Sequence, residues 1–370
     1  MPFPIRQATV LSSLFCCVVL TFAQTQPAPA APKAAQGYSV NVFARGVAGQ
    51  YTAPDSIAVD NGHVFVGFGD GHKPDGSDGK NTQIVQYSLA GTIEWIYNVK
   101  GHNDGLKVDP YQHYVWALQN EDATPNAVAI NYTTHQQSQF TFAAAPSHGG
   151  GYDDIVFRAG KVYLSASNPA NDPNTGPAIV EATVSGTSIS VTPVLNGNAQ
   201  ATNVLTGAQT TLNLQDPDSM TLDPSGDLFL TSQADGTLIV VRQPSTKSQS
   251  VLQIPLSSPY GTPQVDDTLF TPAADGFILV ADKNSNTVYA IHKTVFAPGA
   301  AYSSAQTGTG GTAQAFIGKL DTDFGQLTPV VTGLTSSGGM AFVNTQQTST
   351  LQQVLDFCNA ISAFTGSPLN

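Results

Sequence analysis

The chain has 370 residues, ample for a large core, yet only 11% of them are charged and the formal net charge is −12. So few Lys and Arg side chains exclude nucleic acid as a partner, since phosphate binding needs clustered cations. Of the three cysteines, Cys16 and Cys17 fall in the first apolar run, which leaves Cys358 alone and no intrachain disulfide for a processed chain.

Arg6 precedes "VLSSLFCCVVLTFA", which closes on Ala23. A basic start, a short apolar run and a small final residue predict a secretory signal peptide over 1–23. The run is too short for a stable membrane span. Residues 24–37, rich in Pro and Ala, read as an extended linker. Without the signal the balance is 13 basic against 26 acidic residues. The expectation is an exported monomer, in a periplasm or the medium.

From residue 38 a phrase recurs. "PDSIAVDNGHVFVGFGDG" begins at Pro54, "HNDGLKVDPYQHYVWALQNED" at His102 and "GYDDIVFRAGKVYLSASNP" at Gly151. "DPDSMTLDPSGDLFLTSQADG" begins at Asp216 and "VDDTLFTPAADGFILVADKNSN" at Val265, with a degenerate "SGGMAFVNT" at Ser337. Each has an Asp, an alternating apolar stretch, a turn and a second alternating stretch. The aligned column is Asp55, Asp104, Asp153, Asp218, Asp266 and Gly338, at intervals of 49, 49, 65, 48 and 72 residues. A repeat of that period takes precedence over any single motif. The long intervals contain Gly/Thr/Asn-rich text, "VLNGNAQATNVLTGAQTT" and "APGAAYSSAQTGTGGTA", which reads as loop insertions.

Period-2 alternation gives four strands per unit, in the first "SIAV", "HVFVGF", "TQIVQYSL" and "TIEWIYNV". In the fifth, "GFILVAD" and "NTVYAI" read as the middle strands. The sixth shows one strand only, and "YSVNVFARGV" (38–47) resembles an outer strand able to close the ring. The predicted fold is all-β, a propeller of four-stranded blades over 38–348. Six blades fit best, the sixth irregular; five blades and a plug is the alternative. A helical spacing of Leu351, Val354, Leu355, Cys358 and Ile361 predicts a helix and tail over 349–370. Trp95 and Trp116 occupy alternating strand positions and are expected between blades.

These phrases resemble NHL-type repeats and the strand pairs of gluconolactonase-like, senescence-marker-type propellers, over most of residues 38–345. The resemblance implies a six-bladed propeller. It also implies a divalent metal in the central channel, held by an early Glu, Asn residues and an Asp. Here the place of that Glu reads "APDS".

In a propeller the Asp column converges on one axis, where an oxygen-rich group suits a hard cation such as Ca²⁺. The same residues also suit backbone capping before a strand. Candidate metal ligands are Asp104, Asp154, Asp218 and Asp267, with Asn103 and Asn168 as neutral oxygens. His102 and His148 lie before repeated aspartates and are the candidate proton carriers. "DGHKPDGSDGKN" (70–81) lacks the spacing of a calcium loop and reads as a solvated hairpin loop. No phosphate loop, nucleophile elbow, CxxC or HExxH motif is present. The sequence therefore favours an exported binding or scaffold propeller for a protein, glycan or small molecule. The alternative is a metal-dependent lactonase or esterase-like hydrolase with the cation as Lewis acid.

Overall fold

A computed structural model describes residues 31–308 and 314–345. The signal peptide expected over 1–23 and the helix expected over 349–370, with Cys358, lie outside the described residues. The regular elements described are all strands, and among the described residues no helix is long and apolar enough to cross a membrane.

Two N-terminal strands come first, β1 (Lys33–Ala34) and β2 (Tyr38–Arg45). The first blade is β3 (Pro54–Asp60), β4 (His63–Phe68), β5 (Asn81–Ser88) and β6 (Ile93–Lys100), an antiparallel meander. Its opening hairpin turns at Asn61 and Gly62, whose φ angles of 44° and 83° fit the two-residue turn that Asn-Gly favours. The second blade is β7 (Asn103–Val108), β8 (Val115–Gln119), β9 (Asn126–Asn131) and β10 (Gln136–Phe142). The third is β11 (Ile155–Arg158), β12 (Lys161–Ser165), β13 (Pro177–Ser185) and β14 (Ser188–Asn196). Outer strands β10 and β14 pair in parallel, joining the two blades into one sheet.

After β15 (Gln200–Asn203) and β16 (Gln209–Thr211) comes the fourth blade, β17 (Pro217–Leu222), β18 (Leu228–Ser232), β19 (Thr237–Arg242) and β20 (Ser250–Pro255). The first Gly/Thr/Asn-rich stretch is thus not all loop. Its β15–β16 hairpin pairs with β20 and covers that blade's outer edge.

The remaining strands are β21 (Gln264–Phe270), β22 (Gly276–Asp282), β23 (Thr287–Lys293), β24 (Ala301–Thr307), β25 (Gln314–Asp321), β26 (Gln326–Leu334) and β27 (Ser337–Asn344). The fifth blade is β21–β24–β25–β26, with β1 on its outer edge. The sixth is β27–β22–β23–β2. This corrects the strand assignment read from the sequence. "GFILVAD" and "NTVYAI" belong to the sixth blade, and part of the second supposed insertion is β24. The N-terminal β2 closes the ring against β23, as its outer-strand pattern suggested. Strand pairing begins at Lys33, inside the stretch read as linker.

Innermost strands β3, β7, β11, β17, β21 and β27 touch in cyclic order, β27 returning to β3. Six apolar cores follow, one per blade interface. Ile57, Phe68 and Tyr87 pack on Leu279 and Val288 between blades one and six, and Met220 and Leu230 on Tyr163 and Ile179 between three and four. The other four interfaces are built alike. Burial on both faces explains why middle strands such as β8 and β18 have no exposed residue. Trp116 lies in the core between blades two and three. Trp95 does not fit that expectation. It sits on outer strand β6, 45% exposed, and stacks on His135 at 3.8 Å.

Candidate functional site

The Asp column falls where the inner strands begin, and in the first, second, fourth and fifth blades the ladder is irregular there. Register shifts separate Pro54 from Ile57, Asn103 from Leu106, Pro217 from Met220 and Val265 from Thr268. Such a bulge re-aims the side chains at the end of a strand. The result is two layers of carboxylates with different neighbours.

In the upper layer Asp55, Asp104, Asp153, Asp218 and Asp266 line one cavity of about 180 Å³, together with Asn168, Glu121 and Lys283. They do not cap the turns. Asp266 accepts one bond from Gln233 Nε2 at 3.1 Å, and Asp55 pairs with Lys283 Nζ at 2.6 Å. Asp153 lies beside Asp104 and Asp218, near enough for the three carboxyls to interact. Burial and mutual repulsion lift Asp104, Asp153, Asp218 and Asp266. Asp104 is raised to about 7, by burial first and then by Asp55. Asp153, Asp218 and Asp266 stand well above the usual carboxylate range for the same reasons. Glu121 reaches about 10, through burial and then Asp104. Lys283 is held charged by Asp55.

The residue after each column position makes the lower layer: Ser56, Gly105, Asp154, Ser219, Asp267 and Gly339. Asp154 Oδ1 accepts the Ile155 N–H, and its Oδ2 accepts the Met220 N–H of the next blade, each at 2.8 Å. Asp267 does the same with Thr268 and with Met340 of the sixth blade, each at 2.7 Å. Lys107 Nζ lies 3.0 Å from Asp154. Burial would discharge Lys107, but Asp154 and Asp267 outweigh it and raise its pKa. Burial lifts Asp267 to about 6, with Lys107 pulling the other way. Where the position is Gly, backbones meet directly: a Cβ on Gly105 would lie 2.0 Å from the Asp153 carbonyl oxygen. Below this layer the channel opens into a second cavity of about 350 Å³, whose lining includes Val59, Val108, Phe157, Leu222 and Phe342.

The residues singled out from the sequence therefore separate. Asp104, Asp218 and Asn168 line the upper cavity. Asp154 and Asp267 bridge blades in the layer beneath. Asn103 is fully buried, its Nδ2 donating to the Leu118 carbonyl at 2.9 Å, and its Oδ1 faces Gly67 of the first blade. His102 stands behind the cavity wall, its Nε2 3.7 Å from Glu121 Oε1, and burial lowers its pKa. His148 is buried and its Nε2 donates to the Gly151 carbonyl at 2.7 Å; burial lowers its pKa too. In the 70–81 loop, Asp75 and Asp78 accept backbone N–H groups of the loop itself, and Asp70 accepts the N–H of Thr52. Among the described residues no three His, Cys, Asp or Glu side chains gather round one point as a metal centre requires.

Sequence reasoning missed Glu121 and Lys283. Each follows the second strand of its blade, on the loop that overhangs the channel. Aligning those loops across the units, with Asn168 and Gln233, would have found them.

No known protein family matches this sequence, and no curated protein does. Several solved structures resemble the fold. One of a gluconolactonase-like protein shares 11% identity at a TM-score of 0.47, covering 85% of this chain and 92% of its own. A protein of unknown function from Bacteroides caccae shares 8% at 0.47, over 78% and 86%. Virginiamycin B lyase from Staphylococcus aureus shares 12% at 0.43, over 69% and 99%. These likenesses are too distant to add to the fold read from the strand pairing.

Proposed function

We propose that this is an exported binding propeller that takes a cationic ligand in the acidic mouth of its channel. One observation carries the reading: five aspartates of the blade repeat and Glu121 converge on a single cavity that Lys283 alone enters as a cation among the described residues. Carboxylates crowded in a low-dielectric site repel one another, and a bound cation relieves that repulsion. Loops on a rigid ring suit recognition, and the fold alone assigns no activity. Export is part of the proposal and rests on residues 1–23; sequencing the N-terminus of secreted protein checks it.

The test is calorimetric titration at low salt with a panel of inorganic and organic cations, on the wild type and on Asp153→Asn. Binding of at least one cation, weakened by the substitution, supports the reading. Absence of any binding at millimolar concentration overturns it.

The gluconolactonase-like resemblance supports a second reading, a metal-dependent lactonase or esterase. Asp104, Asp218 and Asn168 line the cavity and offer oxygens, and His102, with Nε2 3.7 Å from the cavity-lining Glu121, is the candidate proton carrier. The donor set does not fit a preformed metal centre, because among the described residues no three metal-binding side chains gather round one point. Turnover of a lactone panel that depends on added Ca²⁺ would place this reading first.

A further inference from the structure

The sixth blade lacks the repeated aspartate, and Gly338 stands in its column. That seat is filled from elsewhere. Lys283, just beyond β22, brings Nζ to 2.6 Å from Asp55 Oδ2. Glycine makes the room, since a Cβ at 338 would lie 3.0 Å from Asp55 Oδ1. The chain thus seats a primary ammonium of its own on the acidic ring, and that ammonium shows the chemistry the ring accepts.

The rest of the ring has no such partner. Asp153 is 7% exposed and lines the cavity beside Asp104 and Asp218, and among the described residues no amine, amide or hydroxyl donates to its carboxyl. An ionised carboxylate is acceptor-only, so neighbouring carboxylates satisfy one another only by holding protons between them. An ammonium supplies three donors instead. Asp122 and Asp216 line the same cavity and lie near enough to each other to interact.

We propose that the cavity binds a small alkyl diammonium, one end among Asp104, Asp153 and Asp218 and the other at Asp122 and Asp216. This rests on the cation-binding reading above and names its ligand class. A cavity of about 180 Å³ holds such a chain. An ammonium on an alkyl stem can donate to oxygens offered from several blades, whereas Ca²⁺ needs six to eight of them around one point.

The experiment titrates the full chain at low salt and pH 8 with 1,4-diaminobutane, butylamine, 1-butanol and CaCl2. The diamine is expected to bind at least tenfold more tightly than butylamine, and 1-butanol not at all. Asp153→Asn should weaken the diamine tenfold or more, and Asp75→Asn in the exposed loop should not. If Asp153→Asn fails to fold, Asp218→Asn takes its place. Lys283→Ala should lose thermal stability that ethylammonium chloride restores and equal sodium chloride does not. Binding of Ca²⁺ but of no amine overturns this inference and leaves the cation reading standing. Binding of no cation overturns both. Equal affinity for monoamine and diamine, or indifference to the Asp153 and Asp218 substitutions, also overturns the inference.

Discussion

Asp154→Ala tests whether the lower carboxylate layer joins blades or holds a ligand. In the wild type Asp154 accepts the Ile155 and Met220 N–H groups and the Lys107 ammonium. Alanine leaves all three donors without that partner. Removing one member of a buried charged pair costs about 3–5 kcal/mol. Each abandoned N–H costs about 1–3 kcal/mol by itself. The terms overlap, so about 3–5 kcal/mol is expected in total. With about 2.1 cal/mol/K of unfolding entropy per residue, the roughly 310 described residues should lose about 5–8 °C in Tm. Urea unfolding followed by tryptophan fluorescence measures the free energy, and calorimetry the Tm. Ser219→Ala, at the same repeat position, is the control, since the Ser219 Oγ makes only a 3.5 Å contact with Asp218. The loss should be the same in EDTA and in millimolar Ca²⁺, because the Asp154 oxygens are already used. A loss below about 1 kcal/mol, or one that appears only with Ca²⁺, would refute the bridging role.

Three further outcomes are expected. Without ligand at low salt, Tm should fall as pH rises from about 5 through 7 and towards 10. A carboxyl whose folded pKa is raised stabilises fully below its unfolded value near 4, and that contribution is lost as pH passes the folded value. Asp104 is raised to about 7 and Glu121 to about 10, so Asp104→Asn should flatten the profile near neutrality; a flat or rising wild-type profile contradicts this. Gly105→Ala forces a methyl against the Asp153 carbonyl and should cost about 1–3 kcal/mol or more, read as a lower Tm; an unchanged Tm contradicts the close approach. A chain starting at Val47 lacks β2 and leaves β23 without its outer partner, so it should lose cooperative unfolding by calorimetry, whereas one starting at Ala31 should keep it.

The blade repeat and most of the acidic ring were legible in the chain's periodicity. A period of two with turns at fixed offsets exposes strands buried on both faces, and the Asp column recurs because each unit meets the axis at the same point. The closing strand at residues 38–45 was legible for the same reason, since its pattern matched an outer strand. Three features depend on how the blades pack in the ring. The β22–β23 hairpin belongs to the sixth blade, because a hairpin has the same local pattern whichever sheet it joins. Asp153 lines the cavity while Asp154 accepts the Met220 N–H of the next blade, because which of two adjacent carboxylates is free and which is bonded to backbone depends on where the neighbouring blade's strand lies. Lys283 occupies the seat of the missing sixth aspartate, a pairing of residues 228 apart in sequence from Asp55 that only ring closure brings together.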